Sequence, residues 1–124
     1  MHIVANLLVA VVALAHLYFL ALEMFFWTKP LGLRTFGMTQ EFANSTAVLA
    51  ANQGLYNGFL AAGLIWALLD ARRGFALKVF FLLCIIVAGV YGGFTAKMTI
   101  LYVQALPALV ALVAVLLAGN RIVR

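Results

Sequence analysis

Two ionisable side chains, His16 and Glu23, stand inside the first long apolar run of the chain. Hydrocarbon solvates neither, so an ionisable group in such a run is a functional candidate by default. They are seven residues apart, two helical turns, and share a helix face. At a rise of about 1.5 Å per residue they lie about 10.5 Å apart along the axis. That excludes a direct hydrogen bond and leaves room for a ligand or a water chain. Phe19, Phe26 and Trp27 flank the same face. Here Glu23 can give or take a proton, with His16 as its partner across a ligand.

A second polar cluster opens the next apolar run: Asn52-Gln53-Gly54-Leu55-Tyr56-Asn57-Gly58. Gln53 and Asn57 share one face; Asn52 and Tyr56 share another, about 100° away. Each carboxamide brings donors and acceptors and costs free energy if left unpaired in hydrocarbon. Such groups can hold a substrate oxygen and stabilise developing charge. Tyr91, Tyr102 and Gln104 add polar groups from the third and fourth runs. The candidate set is therefore Glu23 and His16 for acid–base chemistry, with Asn52, Gln53, Tyr56, Asn57, Tyr91, Tyr102, Gln104 and Trp27 for ligand binding. Each has a plainer alternative. Membrane Asn, Gln and Tyr often only bond neighbouring helices. A histidine can bond a backbone carbonyl, and Glu23 can snorkel or pair with Arg34 or Lys97.

The elements that carry these residues are helices. A helix needs about 20 apolar residues to cross hydrocarbon, and four runs qualify: residues 3–27, 46–69, 75–95 and 98–118. None alternates with period two, which argues against a lipid-facing barrel. The expected fold is all-α, a single domain over residues 1–124, built as an integral membrane bundle of four antiparallel transmembrane helices. Residues 28–44 read as a polar connection and residues 70–74 as a tight turn. Lys97 marks the last connection. In that topology the polar residues of all four helices fall in the outer half of the bilayer, which implies one polar cavity at that height. Pro107 removes a backbone donor inside the fourth run and predicts a kink, with the Val103 carbonyl freed beside Gln104. Gly54, Gly58 and Ala62, Gly89 and Gly93, and Ala88 and Gly92 repeat every four residues. Such spacing allows close helix contacts within the bundle or, less favoured, in a dimer.

Composition agrees: 68% of the 124 residues are hydrophobic and 9% are charged, against about a quarter charged in a soluble domain. The net charge of +5 is scattered at the ends of apolar runs and forms no patch for nucleic acid. Arg72, Arg73, Lys78, Arg121 and Arg124 fall on one side, and Lys29, Arg34 and Lys97 on the other. Both termini are therefore expected in the cytoplasm. Trp66 and Trp27 suit the two interfaces. Ala13-Leu14-Ala15 mimics a signal-peptidase site, but no basic segment precedes the run, so it reads as a retained helix. Lone Cys84 permits no intramolecular disulfide.

No P-loop, dinucleotide or nucleophile-elbow signature occurs. His2 and His16 do not make a metal pair. No cofactor or metal is expected, and no arginine ladder suggests voltage sensing.

The His16…Glu23…Trp27 helix followed by the Asn52–Gly58 motif and Phe59-Leu60-Ala61-Ala62-Gly63-Leu64 resembles the bacterial domain-of-unknown-function 1304 family. That resemblance covers essentially the whole chain. It implies a small four-span membrane protein and transfers no catalytic assignment. Three functions are weighed. The first is binding of a small lipophilic or amphipathic molecule, with or without acid–base chemistry, in a bacterial cytoplasmic membrane. The second is proton-coupled solute transport, which in so short a chain calls for a homodimer or homotrimer. The third is a structural assembly partner in the lipid bilayer.

Overall fold

The computed structural model describes residues 1–120, and all regular structure among them is helical. Helix α1 spans His2–Met24, α2 Pro30–Phe36, α3 Gln40–Leu69 and α4 Gly74–Thr95. A last helix, α5, spans Met98–Ala118. Three of the described helices, α1, α4 and α5, are long and apolar enough to cross a membrane. Helix α3 has the length, at 30 residues. Its carboxamides and early polar residues keep it outside that group. Arg121 and Arg124, which enter the charge count above, lie outside the described residues.

The first run stops at Met24 rather than at residue 27. Pro30 forces the preceding Lys29 into extended backbone (φ −91°, ψ 164°) and starts α2 at the position where a missing N–H costs nothing. Gly37 closes α2 in the left-handed region (φ 62°), where glycine carries no Cβ penalty. The Gly37 and Met38 N–H groups both return to the Leu33 carbonyl. Thr39 then caps α3 by accepting the Phe42 N–H at 3.1 Å. Residues 28–44 are therefore mostly ordered helix rather than a polar connection, and α3 starts at Gln40 rather than at residue 46.

The chain divides into two compact units, Leu14–Ala61 and Met1–Ala13 with the chain from Ala62 on. Within the first unit, α1 and α3 run antiparallel in close contact. A Cβ built on Gly54 would stand 2.7 Å from Met24 Cγ and 3.0 Å from Glu23 Cβ. One on Gly58 would stand 2.7 Å from Leu20 Cδ1. The small residues thus serve contact inside the chain, as expected. On α3 of this unit the buried positions are Ala43, Ala50, Gly54, Asn57 and Ala61, a heptad-like seam of the kind that packs helices at small crossing angles. Gly32 of α2 folds onto the carbonyls of Phe26 and Trp27 so closely that no side chain would fit.

Within the second unit, the tight turn at residues 70–74 reverses α3 into α4. Asp70 Oδ1 accepts the N–H groups of Arg72 (3.0 Å) and Arg73 (2.8 Å). Helices α4 and α5 then pack antiparallel through glycines. A Cβ on Gly89 would stand 2.6 Å from the Ala105 nitrogen, and one on Gly93 would stand 2.9 Å from Leu101 Cβ. Helix α5 widens to a π-turn over Leu101–Ala105, with Leu106 N–H returning to the Leu101 carbonyl. Pro107, just beyond, has no N–H for Val103; the helix accommodates that loss in the widened turn.

Candidate functional site

Three polar side chains are buried among the described residues: His16 (1% exposed), Glu23 (6%) and Asn57 (7%). All three belong to the Leu14–Ala61 unit. His16 and Glu23 stand on one stripe of α1, as their spacing of seven requires. Asn57 is on the seam of α3, and its Nδ2 donates to Glu23 Oε1 at 2.5 Å. Gly54 makes this meeting possible. With no side chain one turn before Asn57, the α3 backbone comes up against Leu20 and Glu23. The alternative of an ion pair between Glu23 and Arg34 is not realised; the carboxyl meets a carboxamide.

Glu23 Oε2 takes no hydrogen bond within the described residues. No sealed side-chain nitrogen or oxygen among those residues lacks a partner, so Oε2 keeps accessible surface. The carboxyl is thus fixed through one oxygen and open at the other. His16, two turns away, packs edge-on to Phe19 with ring centroids 5.2 Å apart. No group of three or more metal-binding side chains is gathered among the described residues.

The other sequence candidates sit elsewhere. Asn52, Gln53 and Tyr56 lie on the exposed flank of α3. Tyr56 packs edge-on to Phe59 at 5.9 Å. Gln53 shares a sequence stripe with Asn57 yet is exposed, because the buried seam is narrower than that stripe and runs through Ala50, Gly54 and Asn57. Trp27 falls just past α1. Its Nε1 donates to Thr46 Oγ1 at 3.0 Å, and its ring packs on Phe36 at 4.8 Å. Gln40 Nε2 donates to the Thr28 carbonyl at 3.0 Å and to Asn44 Oδ1 at 2.9 Å. Trp27 and Gln40 thereby tie α2 and α3 to the end of α1. In the other unit Tyr91 is exposed, and its carbonyl accepts Thr95 Oγ1 at 2.6 Å. Tyr102 (exposed) and Gln104 (half-buried) both belong to the π-turn.

Residues 10–116 match the family described as protein of unknown function (DUF1304). The chain belongs to this family. The DUF1304 match takes in every candidate named above. An uncharacterised protein YpaA of Lactococcus lactis subsp. lactis (strain IL1403) is 32% identical over 115 residues, which is 91% of this chain and 97% of that protein. No solved structure matches.

A feature missed by sequence reasoning lies in the second unit of this DUF1304 chain. A cavity of about 280 Å³ is walled by His2, Asn6, Asp70, Lys78 and Asn120, with apolar residues between them. Lys78 Nζ donates to Asn6 Oδ1 at 2.7 Å. The signal was available in Asn6, an amide inside an otherwise apolar run. Lys78 alone suggests only an interfacial charge.

Proposed function

We propose that this DUF1304 member is a four-span integral membrane protein, crossing with α1, α3, α4 and α5, that binds a small lipophilic ligand at Glu23 and exchanges a proton with it. The reading rests on one observation: a buried carboxyl on an apolar helix that is held by a carboxamide through Oε1 and open at Oε2. Asn57 fixes the direction of the carboxyl and leaves Oε2 as the atom that carries the proton. His16, on the same stripe, is the second polar group a ligand of suitable length would meet. The membrane reading is supported by α1, α4 and α5, which have spanning length and apolarity. The topology is supported by the cavity that His2, Asp70 and Asn120 share. It sets the start of α1, the α3–α4 turn and the end of α5 at one level, as an even number of spans requires. Arg72, Arg73 and Lys78 at that level favour the cytoplasmic side.

The test uses dicyclohexylcarbodiimide, a lipid-soluble carboxyl reagent. The protonated carboxyl adds across its N=C bond and rearranges to a stable N-acylurea. The chain has three acidic residues, Glu23, Glu41 and Asp70. Glu41 is exposed to water, and both oxygens of Asp70 are engaged by its own turn and Trp66. Peptide mass spectrometry of the full chain in lipid is expected to find one adduct, on Glu23, and none in Glu23→Gln. An unmodified Glu23 refutes the reading.

A second reading is favoured by the same hydrogen bond: Glu23 and Asn57 clamp α1 to α3 and do nothing more. It predicts an unreactive carboxyl and an unimpaired Glu23→Gln.

A further inference from the structure

Helix α3 spends one face on α1 and leaves the opposite one open. Its buried seam runs through Ala43, Ala50, Gly54, Asn57 and Ala61. At about 100° per residue, Asn52 stands half a turn away from that seam. It belongs to a second line of positions, Ser45, Val48, Asn52, Leu55 and Phe59, all of them exposed. Their spacing alternates three and four, the pattern of the contact positions in a helix pair. Tyr56 packs edge-on to Phe59 beside this line. Gln53, about 100° further round the helix, lies off it.

The chemistry of Asn52 is wrong for lipid. Trp27, of a residue type that favours the membrane interface, donates to Thr46 and sets that turn of α3 near the outer boundary. Asn52 follows six residues later, about 9 Å deeper, and its side chain is too short to reach back. The carboxamide offers donors and an acceptor, and no hydrogen bond reaches it among the described residues. Hydrocarbon supplies none, at a cost in free energy. A second copy of the chain does. Copies share one orientation in the membrane, so two α3 helices related by a two-fold axis along the membrane normal run parallel and set Asn52 against Asn52 at one height. A carboxamide is self-complementary: each donates an N–H to the carbonyl of the other. A lone asparagine among apolar contact positions fixes register and partner number in paired helices in the same way. A foreign helix would need a matching group at the same depth; symmetry provides it without that requirement.

We propose that α3 forms the contact of a parallel homodimer, along Ser45, Val48, Asn52, Leu55 and Phe59, with Asn52 hydrogen-bonded to the same residue of the second copy. The proposal rests on the membrane reading above and not on ligand binding at Glu23.

The experiment mixes full chains carrying a donor or an acceptor dye at the amino terminus in phosphatidylcholine vesicles, and follows energy transfer as lipid is added. The unaltered chain is expected to show transfer well above random proximity, with the stoichiometry of a dimer. Asn52→Leu is expected to weaken the dimer about tenfold, the weight of two interhelical hydrogen bonds. Cysteine cross-linking in a Cys84→Ala background reads the face directly: Leu55→Cys is expected to link two copies, and Ala51→Cys, off the line, to leave them unlinked. A dimer that Asn52→Leu leaves equally tight overturns the inference, and so does one that Leu55→Cys does not link. Carbonate extraction of the same vesicles separates the two readings. A chain that carbonate removes overturns the membrane reading and this inference with it; a chain that stays embedded as a monomer overturns this inference alone.

Discussion

Consider the Glu23–Asn57 hydrogen bond and a double-mutant cycle across it. Asn57→Leu leaves a buried carboxyl oxygen without its donor, and Glu23→Leu leaves a buried carboxamide N–H without its acceptor. Each orphaned group costs about 1–3 kcal/mol. Replacing both partners by apolar groups of similar size removes both penalties and comes close to neutral. Those costs alone set an upper bound of about 2–6 kcal/mol on the coupling energy; because the unfolded chain in a membrane also finds partners for such groups, the expected value falls to about 1–2 kcal/mol, a factor of roughly 5–30 in the folding equilibrium. Interhelical pairs in membranes usually give less, about 0.6 kcal/mol on average and about 1.7 at most. This pair belongs at the upper end, because both residues are over nine-tenths buried and the carboxyl has no second partner to fall back on. The assay is reversible unfolding in mixed micelles titrated with dodecyl sulfate, followed by helical circular dichroism, for the four members of the cycle. Additive single substitutions, with coupling below about 0.3 kcal/mol, would refute the reasoning, since independent sites add within about that margin.

Two further outcomes are expected. Gly89→Ala should destabilise the α4–α5 contact by about 1–3 kcal/mol, because the new methyl would meet the Ala105 backbone at 2.6 Å. Gly92→Ala, facing the movable Ile100 side chain at 3.1 Å, should cost less. The same micelle titration ranks them, and equal costs would count against the packing. The Asp70 carboxyl is held below its ordinary value of 3.8, first by the Arg73 N–H; desolvation, the next largest effect, opposes this, and the Arg72 N–H, Trp66 and the Arg73 charge add to the lowering. A depressed folded-state value stabilises above the unfolded one and loses that contribution as pH falls through the folded one. The thermal midpoint should therefore drop below about pH 4, and this part of the drop should vanish in Asp70→Ala.

Several of these features were readable from residue types and spacing. His16 and Glu23 share a face because seven residues are two helical turns, and the cost of placing them in an apolar run marks them out. Asn57 stands out for the same reason. Their pairing across helices was not readable. It depends on the register of α1 against α3, and a connection containing a helix of its own leaves that register open. Helix α2 escaped notice because seven residues with a proline and a glycine carry no clear periodicity. Its proline and closing glycine are nonetheless the ordinary signs of a short helix. Gln53 shows the limit of stripe arguments, since spacing by four does not say how wide a buried face is. Pro107 announced a disturbance in α5, but a bend and a widened turn have the same local cause, and the sequence does not choose between them.

The widened turn at Leu101–Ala105 also bears on how this helix tolerates change in length. A π-turn stows one residue more than an α-helix needs to cover the same rise. Removing a single residue there lets the segment relax into ordinary α-helix, with the stretch beyond Leu106 keeping its facing toward α4. The same deletion elsewhere in α5 would swing every later side chain by about 100° and scatter the buried stripe of Ala108, Ala111 and Val115. Homologues one residue shorter in this helix are expected to have lost that residue here.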